Sequence, residues 1–154
     1  KTIVCGVLVI DNEVLLIKRV KPPYKNHWAM VGGKLEFGEH VEEAAVREFY
    51  EETGIKAEFD SVAGIASEII YDKNEKKDHF LIFVCKLKSE NKNFIETEEG
   101  KLKWINLNEL DKEKIVPSDV LMIRDFILKN KKLSIHKIKM IEDGEKYSVE
   151  EFTA

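Results

Sequence analysis

The stretch GGKLEFGEHVEEAAVREFYEETGI, Gly32 to Ile55, decides how this 154-residue chain is read. Good helix formers run from His40 or Val41 onward and stop at Gly54, which can take the left-handed conformation that closes a helix. On a helical projection, Glu51 lies about 60° to one side of Glu48 and Glu52 about 40° to the other. Val41, Ala44 and Ala45 fall on the same arc one or two turns earlier, so a stripe suited to burial turns acidic near its end. Carboxylates at these spacings repel, more strongly where they are partly buried. A shared cation offsets that repulsion. Hard carboxylate oxygens without Cys or His beside them suit Mg²⁺, with Mn²⁺ as a substitute. The competing reading is a solvated acidic face. Against it stands Arg47, four residues from both Glu43 and Glu51, which can hold one carboxylate and leave the others free for metal. Val46, Phe49 and Tyr50 supply an apolar side to anchor the helix.

Upstream, Thr2 to Ile10 and Glu13 to Val20 are rich in Val, Ile and Leu around Asp11-Asn12, the signature of a hairpin. Pro22-Pro23 and the polar residues to His27 predict a loop, and Gly32, Gly33 and Gly38 predict irregular backbone up to the helix. Downstream, Ala57 to Tyr71 and Asp78 to Leu87 read as strands around a charged turn, Asp72 to Lys77. A short strand follows at Lys101 to Asn106, then a second helix at Ser118 to Lys129 with Pro117 just before it. The tail alternates over Ile135 to Ile141, turns at Glu142 to Glu145 and resumes at Lys146 to Phe152, a second type of hairpin signal. This order of strands and helices indicates a mixed sheet with helices packed on it, an α+β chain.

The composition, 44% hydrophobic and 35% charged, fits one globular domain over residues 1–154, with a core over about 2–130 and an appended hairpin at 131–154. The 25 basic and 29 acidic residues are mixed along the chain, so no broad basic face for a nucleic-acid polymer is expected, and the partner should be small. Cys5 and Cys85 lie inside apolar runs and read as reduced thiols. No apolar stretch approaches the roughly 20 residues that span a bilayer, and no signal-type leader opens the sequence, so the expectation is a cytoplasmic protein with no membrane partner. Lys1, in place of a start methionine, leaves the true N-terminus open.

The run from Gly33 to Ile55 resembles the Nudix box position by position: Gly33, five residues, Glu39, seven residues, Arg47-Glu48, Phe49, Tyr50, Glu51-Glu52, Thr53, Gly54, Ile55. Three departures are visible. Phe49 occupies a slot that is usually aliphatic, Val31 replaces a proline, and His40 stands where Ser or Thr often caps the helix. None removes a metal ligand. The resemblance implies an α/β/α sandwich with a mixed sheet, to which the C-terminal hairpin would be added. It also implies a magnesium-dependent hydrolase of a phosphoanhydride bond in a nucleoside diphosphate derivative. In the family's pattern Glu48, Glu51 and Glu52 bind the metal with the Gly32 carbonyl, while Gly33 and Glu39 support the loop and Arg47 orients the glutamates. The general base stays open among Glu51, Glu52 and Glu99, because MutT-like members place a glutamate in the loop before a strand that here reads KLKWINL. Glu98 is its neighbour and the register between the two is not fixed. A solvated Glu96-Glu98-Glu99 cluster is the alternative.

For the substrate, Arg19 and Lys34 resemble phosphate-contacting residues, and both also read as charges at a sheet edge. Asp119 stands where MutT-like enzymes carry a residue that hydrogen-bonds a purine edge, and as the start of a helix it also reads as a cap. Trp28 could stack on a base or belong to the core. Tyr71 resembles the tyrosine of dinucleoside polyphosphate hydrolases, or simply ends a strand. The resulting order of expectation is a nucleoside triphosphate pyrophosphohydrolase of the 8-oxo-dGTP type, then a dinucleoside polyphosphate, ADP-ribose or nucleotide-sugar hydrolase, then a non-catalytic nucleotide sensor. The alternating tail could cover an open sheet edge or join a homodimer.

Overall fold

The computed structural model describes residues 1–129, 133 and 135–153. Strands β1 (Thr2–Ile10), β2 (Glu13–Lys18) and β3 (Trp28–Lys34) precede helix α1 (Val41–Thr53), and β4 (Glu58–Asp72), β5 (Glu75–Lys88) and β6 (Leu102–Asn106) follow it. A 3₁₀ turn at Leu107–Lys112, helix α2 (Pro117–Met122) with a π-helical continuation at Ile123–Leu128, and the hairpin β7 (Ile135–Asp143) and β8 (Lys146–Thr153) complete the described chain. The strands join in the order β6-β2-β3-β1-β5-β4-β7-β8, with β1 and β2 also paired. β1 with β5 and β4 with β7 are parallel, and the other pairings are antiparallel, so the sheet is mixed.

Alternation along β1 sends Val4 and Leu8 to one face and Cys5 and Val7 to the other. On the first face Ala44, Ala45 and Phe49 of α1 pack with Leu15, Val31 and Leu87. On the second, Met122, Ile123 and Phe126 pack with Met30, Ile70 and Met140. Helices thus cover both faces of the sheet. The hairpins after β1 and β4 turn at Asp11-Asn12 and Lys73-Asn74, all four with positive φ, as right-twisted two-residue hairpins require.

Four sequence expectations change. Residues 28–34 form a strand instead of irregular backbone, for a steric reason taken up in the Discussion. The second strand ends at Lys18, short of Val20, where the chain enters the proline loop. The charged turn narrows to two residues, since β4 and β5 continue to Asp72 and Glu75. Tyr50 is exposed, and α1 is anchored by Ala44, Ala45, Phe49 and Thr53 instead. The tail covers the edge of β4: β7 pairs with it, burying Ile138 and Met140, while Tyr147, Val149 and Phe152 of β8 pack on the same core.

Gly54 closes α1 with φ 70°, its N–H donating to the Tyr50 carbonyl at 2.8 Å. A Cβ there would meet Ile95 at 3.3 Å as well as adopting a disfavoured conformation. Gly54→Ala is expected to lower unfolding free energy by about 1–2 kcal/mol, read as a fall in the urea midpoint at constant slope.

Candidate active site

Within α1 the buried residues Ala44, Ala45, Phe49 and Thr53 flank the direction of Glu48 and Glu52, so the helix presses those two carboxylates onto the sheet. Glu51 points outward, its side chain 56% exposed. Glu52 Oε2 accepts the Gly32 amide at 3.1 Å. Arg47 forms a fork on Glu39, with Nε to Oε1 at 2.6 Å and Nη2 to Oε2 at 2.9 Å, and its Nη1 reaches Glu48 at 2.7 Å and Glu51 at 3.2 Å. Nη2 also donates to the Lys34 carbonyl at 3.2 Å, which ties the helix to the end of β3. Glu39 in turn accepts the Glu36 amide, closing the loop before α1. His40 at the helix start donates its amide to Glu43 at 2.8 Å, so an acid three residues on supports a position that lacks Ser or Thr.

These environments separate the carboxylates. The hydrogen bond from Arg47 holds Glu39 below the usual carboxylate range. Burial pushes Glu48 up. Burial, then the charge of Glu48, pushes Glu52 up to about 8. Among the described residues no three acidic, imidazole or thiol groups converge as a closed ligand set, because Arg47 stands between Glu39, Glu48 and Glu51. The donors nevertheless fit a hard divalent cation: they are all oxygen, and the repulsion that raises Glu48 and Glu52 is what a cation offsets.

A cleft of about 750 Å³ runs from these glutamates across the sheet. Gly32, Gly33, Lys34, Glu98 and Glu99 line its acidic end, and the charge of Glu99 contributes to the raised proton affinity of Glu52. Arg19 lines it too and is held by Nε donating to the Pro23 carbonyl at 2.8 Å. Asp119 also lines the cleft, held two residues along β3 from the amide that Glu52 accepts. It is no helix cap, since Val116 occupies that position, and its Oδ2 accepts the Met30 amide at 2.7 Å instead.

Two expected contacts lie elsewhere. Trp28 does not line the cleft: its ring lies between the Lys18 and Lys103 ammonium groups at 5.8 and 6.0 Å. Tyr71 is beyond it too, near the β4–β5 turn with Lys139 over its ring at 4.6 Å. Conversely, Tyr24 and Glu68 line the cleft and were not singled out from the sequence. Strand phase contains the signal for Glu68, which shares the inward face of β4 with Ala66 and Ile70.

Residues 1–126 match the NUDIX domain family. The chain belongs to the Nudix family. It is 34% identical over 128 residues to the uncharacterized Nudix hydrolase YvcI of Bacillus subtilis, covering 82% of this chain and 78% of that protein. A putative 8-oxo-dGTP diphosphatase of the same organism is 32% identical over 120 residues, 78% of this chain and 74% of the relative. The crystal structure of a MutT protein from Bacillus halodurans superposes with a TM-score of 0.74 at 23% identity, covering 97% of both chains. This Nudix hydrolase adds the β7–β8 hairpin beyond the residues matched to the family.

Burial, opposed by the Met30 hydrogen bond, pushes Asp119 up to about 7. A carboxyl whose folded value exceeds its unfolded value, about 3.9, binds more protons folded than unfolded between the two. Its stabilising contribution is complete below about pH 4 and lost as pH rises through about 7. Against the Asp119→Asn variant, the parent is expected to lose about 4 kcal/mol across that window, measured by urea unfolding at several pH values. A constant difference between the two proteins contradicts the assignment.

Proposed function

We propose that this Nudix hydrolase is a magnesium-dependent pyrophosphohydrolase that converts a purine nucleoside triphosphate, of the 8-oxo-dGTP type, to the monophosphate and pyrophosphate. The observation that carries this reading is one cleft lined both by the glutamate cluster and by Asp119. The two match the two ends of a nucleotide. Glu48, Glu51 and Glu52, with the Gly32 carbonyl, are the residues that would hold Mg²⁺, with Mn²⁺ as a substitute. When bound, such an ion neutralises charge on the phosphates and makes a water more acidic. Arg19 and Lys34 bind phosphate oxygens, and Asp119 receives the base edge.

The reaction in this reading is in-line attack of water on phosphorus, with the phosphoanhydride oxygen leaving and the water's proton passing to a carboxylate. Glu52, with its raised proton affinity, is the favoured acceptor, with Glu99 beside it at the cleft mouth. Arg47 keeps Glu39, Glu48 and Glu51 in register without touching the substrate. The similarity to a putative 8-oxo-dGTP diphosphatase supports the triphosphate over a dinucleotide, and the distance of Tyr71 from the cleft removes the residue that favoured the latter. A nucleotide panel with Mg²⁺ and separated products tests the reading. Monophosphate plus pyrophosphate from a purine triphosphate is the expected result. Cleavage confined to ADP-ribose or dinucleoside polyphosphates overturns the substrate, and no cleavage of any member overturns the activity.

A further inference from the structure

The part of the cleft around Asp119 holds groups that the phosphate chemistry leaves unused. Glu68, in the middle of β4, is 2% exposed and lines the cavity. Tyr24 donates its hydroxyl to Glu68 Oε1 at 2.8 Å. The other oxygen, Oε2, makes no hydrogen bond of normal geometry, and neither does Oγ of the buried Ser118, although that hydroxyl lies near enough to Glu68 to lower its proton affinity. A buried acceptor left unpaired costs about 1–3 kcal/mol, a cost that a donor on a bound ligand offsets. Glu68 and Asp119 are close enough for the charge of one to raise the proton affinity of the other, so the two carboxyl groups face a common region. Phosphate is repelled from this region. A planar edge with adjacent N–H donors is favoured there, and guanine presents two such donors side by side where adenine presents a donor beside an acceptor.

The β7–β8 hairpin, beyond the residues matched to the family, packs on this site. The Tyr147 ring on β8 packs on Tyr24 with centroids 4.5 Å apart, and on His27 at 5.5 Å. Tyr147 therefore fixes the ring whose hydroxyl orients Glu68.

We propose that Glu68 determines base specificity, its free oxygen accepting an N–H from a guanine-type edge alongside Asp119, with Tyr24 and Tyr147 as positioning residues. This rests on the nucleotide reading above, and its test therefore uses binding without turnover. GMP and AMP are titrated calorimetrically, with Mg²⁺ present, into the parent, Glu68→Gln, Glu68→Asp, Tyr147→Leu and Tyr147→Phe. Glutamine keeps the bond from Tyr24 and turns an amide N–H₂ toward the ligand in place of an acceptor. The parent should prefer GMP, and Glu68→Gln should cut the GMP-to-AMP affinity ratio by about tenfold, through GMP alone. Glu68→Asp, which withdraws the oxygen by one methylene, should cut it as well and serves where glutamine prevents folding. Tyr147→Leu should lower the ratio and Tyr147→Phe, which keeps the ring, should restore it.

An unchanged ratio in both Glu68 variants, equal weakening of both nucleotides, or a parent without GMP preference overturns the proposal. A Tyr147→Leu ratio equal to the parent's removes the hairpin from it. If the parent binds with the expected ratio and cleaves no nucleoside triphosphate, the hydrolysis reading fails while the specificity reading stands.

Discussion

Glu52→Gln is expected to lower kcat by about three orders of magnitude while making the protein slightly more stable. The two effects have one cause. Glu52 is pressed against the sheet by the buried face of α1, bonded to the Gly32 amide, and raised to about 8 by burial and by Glu48. Glutamine retains an oxygen for the Gly32 amide and removes the charge that the fold must otherwise bury, so the thermal midpoint should rise. In the proposed reaction the same change takes away a metal-binding oxygen and the proton acceptor, which side-chain packing cannot replace. Glu51→Gln provides the contrast: its side chain is 56% exposed, so its midpoint should stay at the parent's value. Pyrophosphate release at saturating Mg²⁺, beside a thermal melt, measures both quantities. Turnover equal to the parent's would remove Glu52 from the chemistry, and a lowered midpoint would show that its charge is not held under strain.

Local patterns that are dense in the sequence came through to the structure. The helix Val41–Thr53, its stop at Gly54 and the contact of Arg47 with Glu51 follow from residues within one or two turns of each other, whereas the fork of Arg47 falls on Glu39 and not on the expected Glu43, which accepts the His40 amide instead. Hairpin turns at Asp11-Asn12 and Lys73-Asn74 are local in the same sense. What the chain conceals is anything fixed by a distant partner. Asp119 reads as a cap until β3 supplies the Met30 amide, 89 residues away in sequence. Glu68 looks like an ordinary strand carboxylate until Tyr24, 44 residues earlier, is brought onto it. Trp28 reads as a base-stacking or a core residue from its place next to the glycine loop, and the second is what the structure shows: its side chain, in the opposite phase of β3 from Ala29, packs partly buried against the core with Lys18 and Lys103 near its ring. The glycines of β3 read as loop for the same reason: their need for space comes from β1 and α1, and sequence neighbours give no hint of it.

That need predicts opposite signatures for two adjacent residues. At Gly32 a Cβ would lie 2.2 Å from the Val4 carbonyl oxygen and 2.7 Å from the Cys5 Cα, both backbone atoms of the paired strand β1. Backbone in the middle of a sheet cannot step aside, so Gly32→Ala is expected to cost about 3 kcal/mol or to prevent folding. At Gly33 the three atoms nearest the Cβ would all belong to the carboxylate of Glu48, its Cδ at 2.5 Å. A carboxylate at the end of a flexible side chain can move, and the fold should lose less than about 1 kcal/mol. The displacement is felt in the chemistry, because Glu48 leaves its place beside Glu52 and its 2.7 Å bond to Arg47. A shift of about 1 Å in a positioned group costs on the order of a hundredfold in rate. Urea unfolding and steady-state kinetics on the two alanine variants separate the cases: Gly32→Ala should fail in stability, and Gly33→Ala should fold and fail in turnover. A Gly33→Ala enzyme with the parent's kcat would show that Glu48 has no fixed role in the reaction, leaving the exposed Glu51 and the buried Glu52 to carry the metal between them.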